Sequence, residues 1–257
     1  MAFKKAVKAG EAKKYGATPL LDGGVYDARI LSIVDLGMQP GSPQYPEPKP
    51  KLEFRFELLD EFMVSEDGSV DESAPRVFNY EVTYNEDGYM DEKANIYKLI
   101  AAIPGGFELE LSEMVGLPVS VMVQKYKKAS GKNAGKEDNK VTAVLPMKAK
   151  DVAKAGPLIN KPLFFDLGEP DLAVWNKLYK GNPYAHQEKI MASSSFNGSA
   201  LQKLLGIAAT EVEEEEIDDG FPETDEYEEH SGPNATVDTT PEVEVPEGEL
   251  VEEESPY

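Results

Sequence analysis

Apolar and polar residues alternate most strictly in the segment KLEFRFELL, where Leu52, Phe54, Phe56 and Leu58 are separated by charged residues. The segment RVFNYEVTY, at 76–84, repeats this alternation. A period of two places one face of a strand in the core and the other in water. The pattern therefore predicts two half-buried strands, joined by the polar stretch SEDGSVDESAP.

Three other segments also favour β structure. GVYDARILSIVDLG, LPVSVMVQKY and KVTAVLP are rich in β-branched and aromatic residues. A proline-rich stretch, MQPGSPQYPEPKP, follows the first of them and predicts an extended loop, because proline removes ladder donors.

One segment has helical periodicity. Ile96, Leu99, Ile100 and Ile103 form a single apolar stripe. Asp91 is the expected N-cap, and the Pro-Gly pair after Ile103 is expected to end the helix.

The predicted order across about residues 22–146 is three strands, a helix and two strands. This is the chain order of the OB-fold, a small, partly open barrel that binds oligonucleotides through its strand 2–3 face and its loops. Other folds share the order, and closure into a barrel is a further inference. We expect a mainly β protein with helices (α+β), built on a five-stranded OB-like barrel.

Four parts are expected along the chain. Residues 1–20 are a flexible basic arm, and residues 21–149 the OB-like domain. Residues 150–207 are a helical extension whose Trp175, Leu178, Tyr179 and Ile190 are interpreted as packing residues on the barrel. Residues 208–257 are a disordered acidic tail, because their charges repel and their apolar content is low.

The charge is unevenly distributed. From Glu211 to Tyr257 there are 20 acidic residues and no Lys or Arg, which leaves 28 acidic and 26 basic residues in the rest. The formal net charge of −22 therefore belongs almost entirely to the tail. An acidic total does not argue against nucleic-acid binding by the nearly neutral body.

Several classes of protein are disfavoured. Without cysteine the chain has neither disulfides nor cysteine-based zinc sites, and it has only two histidines. SGKNAGKE lacks the spacing and the Ser or Thr of a phosphate-binding loop, and paired carboxylates elsewhere lack metal spacing. We expect no enzyme, cofactor or metal. No apolar run or secretory leader is evident, so we expect no membrane association and a location in the host cytoplasm.

The segment between the last two predicted strands is rich in lysine. Such lysines neutralise phosphates in a salt-sensitive, sequence-tolerant way, and this is one of the loops that bind nucleic acid in an OB-fold. The alternative is a hairpin tip that is only solvated. The candidate residues are Lys125, Tyr126, Lys127, Lys128, Lys132, Lys136 and Lys140.

Base stacking needs exposed aromatic rings. Tyr45 and Tyr126 lie in or beside loops, where their rings are expected to be exposed. Tyr80 and Tyr84 are also candidates, but they share a face with core residues, so burial is the alternative for them. Further contacts with the DNA backbone are expected from Arg29, Arg55 and Arg76, unless acidic neighbours pair with them.

The chain ends in EEESPY, that is, in acids followed by a proline and an aromatic residue. This end resembles the tails of bacterial and phage single-stranded-DNA-binding proteins, which dock on replication partners. Here an aromatic would fill an apolar pocket while basic residues hold the acids. The alternative is a merely solubilising tail. The residues proposed for docking are Phe221, Glu252, Glu253, Glu254, Pro256 and Tyr257.

The segments GVYDARILSIVDLGMQ, KLEFRFELLDE, GLPVSVMV and FFDLGEPDLAVWNKLYKGNPYAHQEKIMASSSF resemble a family of tailed-phage single-stranded-DNA-binding or replication-associated proteins. The resemblance covers roughly residues 20–196 and implies an OB-type core acting in replication or recombination. The proline-rich loop and the length of the tail depart from it.

Two main hypotheses follow. In the first, the protein binds and protects single-stranded DNA, and its tail recruits a polymerase, helicase or primase. In the second, it is a virion or scaffold protein of a phage whose tail solubilises it or mimics DNA. A hydrolase or nuclease is a third, disfavoured alternative, and homodimerisation is left open.

Overall fold

A computed structural model describes residues 15, 18–41, 45–85, 87–129 and 134–208 of the chain. Described residues belong to one compact unit, Met1–Glu211. Nearly all of the predicted basic arm and, from residue 209 onward, the predicted tail lie outside them.

The strands are β1 (Gly24–Gln39), β2 (Lys49–Val64), β3 (Val70–Thr83), β4 (Pro118–Lys127), β5 (Glu137–Leu145) and β6 (Leu163–Phe165). The helices are α1 (Asn95–Ala102), α2 (Leu111–Met114), α3 (Ala149–Val152), α4 (Leu172–Trp175), α5 (His186–Met191) and α6 (Ala200–Leu205), with a 3₁₀ turn at Gly106–Glu108.

The predicted fold class is confirmed. The first five strands form an antiparallel sheet in the order β3-β2-β1-β4-β5. The sheet curls into a half-barrel, so that its two edge strands approach each other, and α1 contacts both of them. Curling buries one apolar face without a second sheet.

The barrel core consists of the inward rows of these strands. Across β2 and β3, Phe54 lies opposite Tyr80, and Phe56 lies opposite Phe78. Phe54 and Phe56 have no exposed surface, as the alternation in KLEFRFELL predicts. The apolar stripe of α1 joins the same core through Ile96, Leu99, Ile100 and Ile103.

β1 is buried on both faces, because the barrel core lies on one side of it and a second core lies on the other. The register with β2 shifts between Ile30 and Ser32, so that Ile30 and Ile33 both enter the barrel core. After the shift, Val34 and Leu36 point to the opposite face and into a second core. One extra residue in a strand switches the faces of all that follow. The continuous apolar run of β1 reflects burial on both of its faces.

The helical extension builds that second core. Phe165, Trp175 and Ile190 pack there against Val34 and Leu36 of β1. β6 also adds to the sheet, pairing in parallel with β1 through Ser32–Leu163 and its two neighbours. The predicted packing of Trp175, Leu178 and Ile190 is confirmed, whereas Tyr179 is 57% exposed.

Two details of the prediction are wrong. The polar stretch 65–75 is not wholly loop, because β3 begins at Val70 and continues the long hairpin with β2. Asp91 is not the N-cap of α1, which is Ala94. The Asp91 carboxylate instead accepts a hydrogen bond from the Lys93 amide, which closes a turn just before the helix.

Candidate nucleic-acid interface

The outward face of β2 and β3 is the surface through which OB-folds bind oligonucleotides. Cross-strand pairs on this face are Glu53–Glu81, Arg55–Asn79 and Glu57–Val77. The alternation in the sequence predicts that the polar row of β2 faces water. That prediction is wrong for Glu53 and Glu57, which are 4% and 1% exposed because the extension covers them.

Glu57 attaches the extension to β2. Its carboxylate accepts hydrogen bonds from the Ile159 amide at 2.6 Å, the Asn160 amide at 2.9 Å and the Asn160 side chain at 2.7 Å. A buried carboxylate is tolerated only when such donors compensate for its lost hydration. Glu57 is therefore a structural residue.

Arg29 secures the same junction. Its guanidinium donates to the carbonyl oxygens of Gly116 at 2.6 Å, Ala155 at 3.0 Å and Gly156 at 2.5 Å. All three nitrogens are thereby engaged with backbone. This engagement argues against the DNA contact predicted for Arg29.

A buried charged cluster holds α5 against the sheet. His186 Nε2 lies 2.6 Å from Glu53 Oε1, and both side chains are buried. Lys189 Nζ lies 3.6 Å from Glu53 Oε2 and pairs with Glu81. Burial opposes ionisation of Glu53, but the hydrogen bond and charge of His186 and the charge of Lys189 outweigh it and lower the pKa of this carboxyl.

Beside this cluster lies an open cavity of about 260 Å³, here called the tyrosine groove. Arg55 and Asn79 of the sheet form one side of it. The segment that precedes α5 forms the other side, with Tyr179, Lys180, Asn182 and Tyr184. The guanidinium carbon of Arg55 lies 4.7 Å from the centroid of the Tyr179 ring.

The two tyrosines of the groove project from a backbone segment that hydrogen bonds hold in place. Tyr184 is 82% exposed, but the neighbouring Ala185 is buried. The Tyr184 amide donates to the Asn182 side chain at 2.9 Å, and the Gln187 amide donates to the Tyr179 carbonyl at 3.1 Å. A rigid backbone with exposed rings suits base stacking, since little further ordering is needed on binding.

Sequence reasoning assigned Tyr179 to packing and did not consider Tyr184. A signal was present in LYKGNPYAH, where a Gly-Asn-Pro turn separates the two tyrosines. Such turns lie at the surface, so aromatic residues that flank one are candidates for exposure.

The lysine-rich hairpin of β4 and β5 is partly neutralised by its own neighbours. Lys125 pairs with Asp22 at 2.7 Å, and Lys128 pairs with Asp138 at 2.5 Å. Hydrogen bonds to these carboxylates raise the pKa of both lysines. Tyr126 is half-buried under Lys140, whose Nζ lies 5.3 Å from the ring centroid.

Lysines near the tip of the hairpin are less involved in ion pairs. Lys127 and Lys136 are exposed and form no ion pair with any residue that the structure describes. Lys132 lies outside the described residues. The predicted concentration of positive charge is therefore centred on Lys127 and Lys136.

The remaining candidates are placed differently. Tyr80 and Tyr84 pack against the barrel core, and burial raises the pKa of the Tyr80 hydroxyl. Tyr45, on the proline-rich loop, is 66% exposed. Arg76 donates to the Pro19 carbonyl at 2.9 Å and lies 5.5 Å from the Phe78 ring centroid, while burial lowers its pKa.

All six tail residues proposed for docking, Phe221, Glu252, Glu253, Glu254, Pro256 and Tyr257, lie outside the described residues. Within the described part of the chain, no group of three or more histidine, aspartate or glutamate side chains is arranged to hold a metal ion. No described helix is both long and apolar enough to cross a membrane.

Comparison with known proteins adds no family, because no protein-family model and no curated protein matches the chain.

Proposed function

We propose that the protein binds single-stranded DNA without sequence preference. The tyrosine groove is the observation that carries the proposal, because it joins exposed rings and unburied cations on the strand 2–3 face of an OB-like half-barrel. Every base offers a π-face, so Tyr179 and Tyr184 stack bases of any sequence.

Phosphates are neutralised from two places. Arg55 and Lys180 lie in the groove beside the stacking rings. Lys127 and Lys136 add charge from the β4–β5 hairpin. Because each neutralised phosphate releases counterions, this arrangement gives an affinity that falls steeply with salt.

The separation of charge along the sequence supports a division of labour. The body binds and protects single strands during phage replication or recombination, while the acidic tail recruits a polymerase, helicase or primase. A polyanionic tail also competes with DNA for the cations of its own body.

The test is a fluorescence-anisotropy titration of the full chain with labelled oligo-dT of about 20 nucleotides, and with a duplex of equal length. We expect tighter binding to the single strand and an affinity that falls about 10- to 1000-fold between 50 and 200 mM salt. Equal affinity for the single strand and the duplex at low salt, or an affinity that does not change with salt concentration, would refute the proposal.

A further inference from the structure

A second cavity, here called the end cavity, lies apart from the tyrosine groove and shares no lining residue with it. Its volume is about 330 Å³. It opens between the segment Gly106–Met114 on one side and Phe164–Asp166 on the other. The proposed DNA-binding function does not use it.

The walls of the end cavity are apolar, and its charged residues have one sign. Leu52, Ile100, Met114 and Phe164 are among the apolar residues of the wall. Its ionisable acids are Asp35, Glu110 and Asp166, and no Lys, Arg or His occurs among the described residues that line it. A cavity with low-dielectric walls and charges of one sign concentrates ligands of the opposite sign.

Backbone amides hold two of these carboxylates in place. Asp35 accepts hydrogen bonds from the amides of Gly37 and Leu167. Asp166 accepts from the Gly168 amide at 2.8 Å, and its repulsion adds to the effect of burial in raising the pKa of Asp35. A cation bound between these two acids would relieve that repulsion.

At the mouth of the cavity there is an exposed apolar surface. Phe107 is 52% exposed although it belongs to the lining, and its ring centroid lies 4.9 Å from that of Tyr97. An exposed phenylalanine beside an apolar cavity is typical of a surface that another molecule covers.

We propose that the end cavity docks a peptide segment of another protein, in which a bulky apolar side chain is flanked by lysine or arginine. The apolar side chain fills the cavity and packs on Phe107, while the cations approach Asp166 and Glu110. A cavity of this volume holds one or two such side chains, which is typical of an anchored peptide.

Two segments of the chain itself are poor candidates to occupy the end cavity, one because of its charge and the other because of its distance from the cavity. The acidic tail has the wrong sign for these carboxylates. The basic arm has the right sign, but Tyr15 is held by a bridge to Ser65, at the far end of β2 from Leu52. Phe3 is the bulky apolar residue of this arm, and twelve residues separate it from Tyr15. About as many residues of β2 separate Ser65 from Leu52, so at about 3.3 Å per residue the arm would have to be fully extended along β2 for Phe3 to reach the cavity.

The experiment uses the full chain and two fluorescein-labelled peptides, GSKFKLSG and its charge-reversed counterpart GSEFELSG. Lysine peptides also bind any polyanionic tail, so the readout is the difference between the wild type and Leu109→Trp, which fills the cavity and keeps the same tail. We expect the lysine peptide to bind the wild type on the order of tenfold more tightly than this variant, and more tightly than the reversed peptide.

A charge variant keeps the test decisive if Leu109→Trp fails to fold. In Asp166→Lys the preference should shift toward the glutamate peptide, since the rim then has a cation. Tyr184→Ala should weaken oligo-dT binding and leave peptide binding unchanged, which separates this proposal from the proposed function.

Four outcomes would overturn the docking proposal. The first is equal binding of the lysine peptide to the wild type and to Leu109→Trp. The second is tighter binding of the charge-reversed peptide than of the lysine peptide. The third is a wild-type dimer, observed by sedimentation, that is absent in Leu109→Trp. The fourth is competition by phenethylamine as tight as that of the peptide, which would assign the cavity to a small organic cation.

Discussion

The guanidinium carbon of Arg55 lies 4.7 Å from the centroid of the Tyr179 ring, although the two residues come from opposite halves of the chain. This contact joins the outward face of the half-barrel to the extension. It also places a cation over one face of the half-exposed Tyr179 ring, so that positive charge and an aromatic surface, the two requirements of single-strand binding, lie together.

Removal of the most exposed ring should weaken DNA binding. Because one stacked base is worth about 1–3 kcal/mol, Tyr184→Ala should weaken oligo-dT binding roughly 5- to 150-fold. Anisotropy titration at fixed salt measures the effect. The matched control is Tyr89→Ala, which removes a ring of 67% exposure outside the groove and should leave the affinity unchanged. An equal loss in both variants would contradict a specific role for Tyr184.

The hairpin lysines should differ according to their pairing. Lys127→Gln with Lys136→Gln removes two exposed cations, so the slope of log affinity against log salt should shrink by about 1.4. Lys125→Gln with Lys128→Gln removes cations that already pair with Asp22 and Asp138, and should change the slope less. Salt titrations of both double variants decide the point. A larger effect from the paired lysines would contradict this assignment.

Glu57 should contribute to stability. Glu57→Ala leaves the amides of Ile159 and Asn160 without their acceptor, and we expect the free energy of unfolding to fall by roughly 2–4 kcal/mol. Urea unfolding followed by circular dichroism and by Trp175 fluorescence measures the loss. Glu66→Ala, at an exposed position, should stay within about 0.5 kcal/mol of the wild type. A similarly small loss for Glu57→Ala would show that these hydrogen bonds do not hold the extension.

Acid should weaken the cluster around Glu53. Its pKa in the folded protein lies below the ordinary value of 4.5, so its contribution to stability is present above that pH. As the pH falls below 4.5 toward the folded-state pKa, this contribution is lost. The carboxyl of Glu53 has the higher pKa in the unfolded chain, so the unfolded chain takes up the proton first and is stabilised relative to the folded protein. The difference in unfolding free energy between the wild type and Glu53→Gln should therefore shrink in this range. A difference that grows on acidification would reverse the assigned sign.

Deletion of residues 208–257 should separate the two proposed activities. Affinity for oligo-dT should hold or rise, since a competing polyanion is removed. Binding of the proposed partner, measured by pull-down with a candidate polymerase, helicase or primase, should vanish. Loss of DNA affinity in the truncated protein would contradict the division of labour between body and tail.

The fold class could be predicted from the sequence because alternation records local burial. Each inward position of β2, from Leu52 to Leu58, was identified by its period of two, and α1 by its stripe of isoleucine and leucine. The same reasoning failed for Glu53 and Glu57. The alternation predicts that a charged residue on the outward row is exposed to solvent, whether or not a segment distant in sequence covers it.

The sequence by itself determined the order of the five main strands and the first helix along the chain, the inward rows of β2 and α1, and the separation of a nearly neutral body from an acidic tail, since these depend on neighbouring residues and composition. Only the tertiary structure decided which rings are exposed beside Arg55, which lysines are paired, and that β1 is buried on both faces. Those features depend on contacts between residues far apart in sequence, such as Arg55 with Tyr179 and Glu53 with His186. No local period encodes such contacts, because they form only when the extension packs on the sheet.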